Sequence, residues 1–455
     1  MLFHSATFLV FVTVLVALYW VTPWQRARLV LLFLSSLVFY GWRHWPSVFL
    51  LLGSIAVNYT VGRALETRKS KPLLALGITL NLSFLLFFKY GRFVVDQLIH
   101  LGALIGLDLH VPKPDAWMPL GISFFTFQVV AYLVDVYRRE LPAERSLLVF
   151  AVFKSFFAQL VAGPIVRGKD LLPQLRSVVP FDVARVHRGA WLVLCGLFLK
   201  VGVADVLGDY VDYGWTVPDT LGINNAWLVV YAYAAQLLAD FWGYSTMAVG
   251  LGLCFGLTLP INFDNPYGAS SLREFWRRWH ITLSIWLRDY LYISLGGGRV
   301  SKPRAAFNRL ATMAIGGLWH GAGWNFVLWG VLHGLWMDLE LVTEKARGRW
   351  PKWLGVFITF HVVVFLWIPF RAPSLDALTT MLTRMTSGPW DINTPAQTAV
   401  MTLAFLALQK PLFGLVRAER VDTLKPLAEV ALAAAMVWLL LAYGSARQDF
   451  IYYVF

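Results

Sequence analysis

Apolar residues run along this chain in blocks of about 17 to 25, the length that crosses roughly 30 Å of hydrocarbon, with short polar or basic connections between them. Candidate spans fall near 5 to 22, 28 to 42, 46 to 62, 72 to 89, 93 to 107, 118 to 137, 146 to 165, 189 to 208 and 226 to 258. They continue at 279 to 295, 310 to 343, 353 to 371, 396 to 413 and 427 to 444. The pattern predicts an all-α, polytopic integral membrane protein with roughly 11–14 transmembrane or re-entrant helices. The first block lacks both a basic leader and a small-residue cleavage site, so it reads as a retained span rather than a removed signal peptide. No internal repeat is visible, and nothing along residues 1 to 455 suggests a second domain.

The placement of charge orients these blocks, because Lys and Arg near span ends mark cytoplasmic loops. Basic clusters occur at 63 to 71, 136 to 140, 167 to 188, 297 to 304 and 345 to 352, whereas Val201 to Leu272 contains no Lys or Arg. The loop at 209 to 225, the segment 373 to 395 and the C-terminal tail are therefore expected outside, and the loop at 297 to 309 inside. Two places resist simple crossing. Between the basic loop at 63 to 71 and the weakly charged stretch at 107 to 117 the sign rule demands an odd number of crossings, yet two apolar runs are present. The block 310 to 343 lies between two basic loops, so it must enter and return, with its turn in or near GAGWN at 321 to 325. The block at 146 to 165 is similarly irregular.

Composition agrees with this reading. Hydrophobic residues make up 58% and charged residues 14%, against roughly 25% charged in soluble domains. The net charge of +13 is dispersed among the spans rather than gathered on a domain, which argues against nucleic acid as a partner. Cys195 and Cys254 both lie in apolar stretches and read as buried thiols.

Against this background the histidines His320 and His333, within GGLWHGAGWNFVLWGVLHG at 316 to 334, are conspicuous. On one straight helix, thirteen residues would set them about 220° and roughly 20 Å apart, so they could not form a dyad, and the break offers no metal-ligand spacing. His320 adjoins the break, where an ionisable group at membrane depth is a site candidate. His333 reads as a packed histidine. A second cluster, SSLREFWRRWHITLSIWLRDYLYISLGGGR at 270 to 299, sets Arg273, Glu274, Arg277, Arg278, His280, Arg288 and Asp289 among aromatics. It reads either as an interfacial helix with snorkelling arginines or as a cytosolic docking surface for an anionic group.

The stretch FWRRWHITLSIWLRDYLYISLGGGR together with RLATMAIGGLWHGAGWNFVLWGVLHG resembles the signature of the membrane-bound O-acyltransferase (MBOAT) family, in particular its alginate O-acetylation branch. PLGISFFTFQVVAYLVDVYRRE, FFAQLVAGPIVRGKDLLPQL, NFDNPYGASSLREFW, WIPFRAPSLDAL and the terminal FIYYVF extend the match over most of the chain. The resemblance implies one MBOAT-type transmembrane domain over 1 to 455, with catalytic His320 in the oily WHG element and His280 of RRWH as the second site residue. It further implies acyl transfer, most simply of acetyl from a cytosolic thioester such as acetyl-CoA, with no bound cofactor and no metal, in a bacterial inner membrane. An exopolysaccharide or an extracytoplasmic acetyltransferase would be the partner outside, with a central tunnel joining the two faces. Where the branch reads DFSGYSDMA, this chain has DFWGYSTMA at 240 to 248, a departure at Trp242 and Thr246 that bears on acceptor and partner contacts.

The chemistry suits the residues. A thioester is already activated, so the missing part is a base for a hydroxyl, and a neutral imidazole supplies one. Arg277 and Arg278 would hold donor phosphates, and Tyr452 of the tail is a candidate acyl relay, since a deprotonated phenol is a competent nucleophile. D-alanyl or other acyl transfer to a cell-envelope polymer is the nearest alternative. A non-catalytic transporter or scaffold of a secretion complex is another; transport would call on intraspan acids, for which Asp135 and Asp240 are the candidates.

Overall fold

The architecture is that of a computed structural model, which describes residues 1, 3–114, 117–416 and 426–443; its regular structure there is helical, with no strand among the described residues. The first helices are α1 (Ala6–Val21), α2 (Gln25–Gly41), α3 (Ser47–Thr67), α4 (Lys71–Leu104) and α5 (Ile122–Arg138). Short pieces α6 (Leu147–Ser155), α7 (Phe157–Leu160) and α8 (Gly168–Arg176) follow. Next come α9 (Val183–Thr216), α10 (Ile223–Cys254), α11 (Leu272–Arg278) and α12 (Ile281–Trp286). The chain continues through α13 (Lys302–His320), α14 (Trp324–Val342), α15 (Lys352–Arg371), α16 (Leu375–Ser387), α17 (Ala396–Val416) and α18 (Pro426–Tyr443). Six of the described helices are long and apolar enough to cross a membrane.

The core is built on α10, whose apolar window is 89% buried. It lies antiparallel to α9 at backbone contact, because glycines seven residues apart on each helix face one another. A Cβ added to Gly196 would lie 2.5 Å from the carbonyl oxygen of Gly243, and one added to Gly250 would lie 2.5 Å from that of Gly189. Between lipid-soluble helices the gain comes from van der Waals contact, and small residues permit the approach.

Two apolar runs expected as separate spans, 72 to 89 and 93 to 107, form the single helix α4. A π-turn at Leu86–Tyr90 carries the helix through the polar KYGR stretch without a break. One crossing therefore joins the basic loop at 63 to 71 to the 105 to 121 connection, and the odd count demanded by the charges is met. The ends of α2, α3, α4 and α5 then alternate so that Arg26, Arg68, Lys71 and Arg138 share one side, the cytoplasmic one by the sign rule. Residues 42 to 46, 105 to 114 and 117 to 121 lie on the other. At that outer side Arg371, which ends α15, pairs with Asp212 near the end of α9 at 2.6 Å.

Three segments enter and return. The stretch at 146 to 165 breaks after Ser155, and its freed carbonyl at Phe153 accepts from the side-chain amides of Gln128 (3.1 Å) and Gln159 (2.6 Å). The block at 279 to 295, expected as a span, is instead α12 extended by a π-turn at Leu287–Tyr292. At 1.5 Å per residue such a piece reaches only about 18 Å, too short to cross. The third is the hairpin of α13 and α14, turning at Gly321–Gly323 as the charges require. Its helices touch at Gly317 and Gly330, where a Cβ would lie 2.2 Å from the carbonyl oxygen of Phe326 and 2.1 Å from that of Met313.

Candidate active site

His320 is the last residue of α13, and the backbone leaves it fully extended through Gly321. A side chain at 321 would strike the Phe326 ring at 2.0 Å, so the turn needs glycine there. The imidazole is buried, edge-on to Trp329 (5.1 Å between centroids) and Phe370 (5.2 Å). Because the hairpin folds back, His333 approaches the same Trp329 at 4.7 Å rather than standing far away along one straight helix. Its Nδ1 accepts a hydrogen bond from the indole N–H of Trp276 at 3.2 Å, and it is wholly buried, so the packed role expected for it suits its surroundings.

His280 reaches the site from a different segment. It separates α11 from α12 in a left-handed conformation (φ 42°, ψ 54°), one that costs a non-glycine residue roughly 1–2 kcal/mol. Asn262 holds the turn. Its carbonyl accepts from the Ile281 amide (2.9 Å), and its side-chain oxygen accepts from the Thr282 amide (3.1 Å) and hydroxyl (3.0 Å). The Asn262 amide donates onward to Ser245 at 3.3 Å, while the Thr282 hydroxyl accepts from the Ile165 amide at 3.0 Å. The re-entrant segments are thus stitched together around His280, whose ring is fully buried beside Phe241 (4.6 Å) and 6.4 Å from the ring of His320.

One cavity reaches His320 and another reaches the residues that hold the His280 turn. An outer one of about 760 Å³ is lined by Arg43, His44, Trp117, Lys89, Trp319 and His320 among others, and it adjoins the outward connections at 42 to 46 and 117 to 121. A second, of about 450 Å³, is lined by Ser245, Asn262, Phe263, Trp242, Thr246 and Phe413. It therefore touches the residues that hold the His280 turn. Both departures from the branch pattern line it, with Trp242 stacked on Phe413 at 3.8 Å. The two cavities share no lining residue, and His320 lines only the outer one, so they do not form the continuous passage expected through the protein.

The remaining sequence candidates separate. Helix α11 stops at Arg278, so Arg277 and Arg278 do not share a helix face with His280. Arg277 is exposed. Arg278 pairs with Glu274 at 2.6 Å and donates to the Asn265 carbonyl at 3.3 Å. Burial alone would raise the Glu274 carboxyl, but the amide and hydroxyl of Ser270 and the Arg278 guanidinium hold it below its usual range. Tyr452 lies outside the described residues. Of the two intraspan acids, Asp135 accepts from the Tyr290 hydroxyl at 2.7 Å, and Asp240 lies 3.0 Å from Lys200, which also binds Asp205 at 2.6 Å.

Sequence reasoning missed Asn262 and Lys89. Asn262 stood in a quoted motif without a role, and its only local signal was a polar residue directly after an apolar run. Lys89 was read as the end of a span, where lysines snorkel; in fact it lies inside α4 and faces the His320 helix.

Comparison with known proteins matches residues 73–368 to the model of MBOAT, the membrane-bound O-acyltransferase family. The chain is 40% identical over 435 residues to the probable alginate O-acetylase AlgI of Pseudomonas aeruginosa, covering 91% of this chain and 82% of that protein. It is 37% identical to the peptidoglycan O-acetyltransferase of Helicobacter pylori over 78% of this chain and 73% of that one. The teichoic acid D-alanyltransferase of Bacillus subtilis is more distant, at 28% identity over 56% of this chain and 69% of its own. With this match joined to the all-helical fold and the buried histidine pair, the chain belongs to the membrane-bound O-acyltransferase family and is a multi-pass membrane O-acyltransferase.

Proposed function

We propose that this enzyme moves acetyl from a cytosolic acyl thioester, acetyl-CoA in the simplest case, to the outer side of a bacterial inner membrane for O-acetylation of a cell-envelope polysaccharide. The observation that carries the reading is the buried pairing of His320 with His280, 6.4 Å apart, beside a cavity on the outer side. An imidazole nitrogen lies about 1.1 Å from its ring centre, so nitrogens turned to a common point can both reach one hydroxyl oxygen held off the line between the rings, at about 2.7–2.8 Å from each. His320 takes the hydroxyl proton as the oxygen attacks the thioester carbonyl. The C–S bond then breaks, and the proton passes from the imidazolium to the departing thiolate. His280 orients the acceptor or the donor carbonyl. Arg277, exposed on α11, is the candidate for direct contact with the donor's phosphates, and Arg278, paired with Glu274, favours them mainly through its charge.

Acetyl is preferred over D-alanyl because the O-acetylating relatives match at 37–40% identity over most of the chain, the D-alanyl-transferring one at 28% over 56%. The final acceptor outside is either the polysaccharide itself or an extracytoplasmic acetyltransferase that passes the group on. Incubation of the purified protein with acetyl-CoA labelled in the acetyl group tests the donor assignment. Release of label or protein-bound label supports it; neither, in protein shown to be folded, removes acetyl-CoA as donor.

A further inference from the structure

A helix leaves its last four carbonyls without intrahelical partners, and inside a membrane no bulk water supplies them. Helix α13 ends this way at His320, where the extended Gly321 makes no backbone cap. Three donors from α4 fill the gap. The Tyr90 hydroxyl donates to the carbonyl of Leu318 at 2.8 Å, and the Lys89 ammonium donates to those of Trp319 at 2.7 Å and His320 at 2.9 Å. Both residues belong to the π-turn of α4, a backbone irregularity frequent at functional sites. The ammonium also brings positive charge to the negative end of the helix dipole, and it lies 5.9 Å above the Trp319 ring. Lys89 lines the outer cavity together with His320.

Three carbonyls could be satisfied in many ways, but this arrangement has a specific consequence. His280 is fixed by Asn262 of the α10–α11 connection, whereas His320 stands at the turn of the α13–α14 hairpin. The spacing of the two imidazoles is therefore set by two independent anchors, and the one on the His320 side is the π-turn of α4.

We infer that Lys89 and Tyr90 form a cap, contributed by a separate transmembrane helix, that positions the His320 imidazole for acyl transfer. The inference rests on the catalytic reading of His320. Both are positioning residues, acting through the backbone of α13. Without the cap the last turn frays and the base shifts, and a displacement of about 1 Å at a reacting group can cost on the order of 100-fold in rate.

The test compares Lys89→Met, Lys89→Arg and Tyr90→Phe with wild type at equal membrane abundance, reading kcat and KM for acetyl-CoA separately. Lys89→Met is expected to lower kcat by about 10- to 100-fold with KM within about twofold. Lys89→Arg, which retains charged donors, is expected to recover part of the loss, and Tyr90→Phe to lower kcat about threefold. Should Lys89→Met fail to insert, Tyr90→Phe decides, because it removes only one hydroxyl. A wild-type kcat in Lys89→Met, or in Tyr90→Phe where that variant decides, overturns the proposal, as does a loss confined to KM. His320→Gln serves as the control. If it is inactive while the cap variants run at wild-type kcat, only the cap fails; if it is active, the catalytic reading of His320 falls first.

Discussion

The ring centres of His280 and His320 lie 6.4 Å apart although the two residues are forty positions apart and belong to different helical segments. The His280 segment is too short to cross the membrane, and each segment presents its histidine where its helix breaks. Irregular backbone inside a membrane persists only when protein groups satisfy it. Asn262 and the Lys89–Tyr90 pair are those groups, so the anchors of the histidines are also what permits the breaks.

The Asn262 clamp should be required for turnover. Asn262→Ala removes the side-chain acceptor of the Thr282 amide and hydroxyl and releases a left-handed residue from its restraint. We expect kcat to fall about 10-fold or more with little change in donor KM, and Thr282→Val to show a smaller loss in the same direction. Steady-state kinetics on purified variants decide the point, and a wild-type kcat in Asn262→Ala sinks the positioning role.

The Lys200 cluster should be a structural lock. Lys200 joins Asp205 on its own helix to Asp240 on α10, with all three side chains buried. Lys200→Met strands two carboxylates in the interior and is expected to cost about 3–5 kcal/mol, seen as a marked drop in unfolding temperature in detergent. Replacing Asp205 and Asp240 by Asn in the same variant should restore part of the loss. An unchanged unfolding temperature in Lys200→Met would contradict the assignment.

Much of this fold was legible because hydrophobic length and charge sign are set by the bilayer itself. The return of the 310 to 343 hairpin followed from charge alone. The KYGR stretch at 89 to 92 misled because a lysine, a glycine and an arginine within four residues look like a loop, whereas a π-turn keeps the helix continuous and turns the lysine to use. The block at 279 to 295 misled because hydropathy does not distinguish a crossing helix from a short one buried in protein. The straight-helix distance between His320 and His333 was superseded by the hairpin, which brings both rings to Trp329. The pairing of His280 with His320 came from the family resemblance, since no local spacing encodes a contact between re-entrant tips.

Sidedness can be tested with single cysteines at Asp219 and Lys302. The native Cys195 and Cys254 are buried and should give little background. A membrane-impermeant thiol reagent added to intact cells should label Asp219→Cys at once and Lys302→Cys only after permeabilisation. Equal labelling of the two would overturn the orientation.

A relay role for Tyr452, which lies beyond the described residues, makes a distinct prediction. Tyr452→Phe should abolish delivery of acetyl to the outer acceptor at normal protein abundance, because a phenyl ring cannot carry the acyl group. Unchanged delivery leaves the terminal DFIYYVF with a packing role alone.

The most direct test of the central claim is acetyl transfer by His320→Gln. Glutamine retains a hydrogen-bonding group of similar reach but cannot accept and return a proton, so the variant should keep its fold and donor affinity. Loss of a general base costs about 10² to 10⁴ in rate. The account predicts turnover reduced by at least that lower figure at equal membrane abundance, with donor KM little changed; retention of more than about a tenth of wild-type transfer would show that His320 is structural and contradict the mechanism.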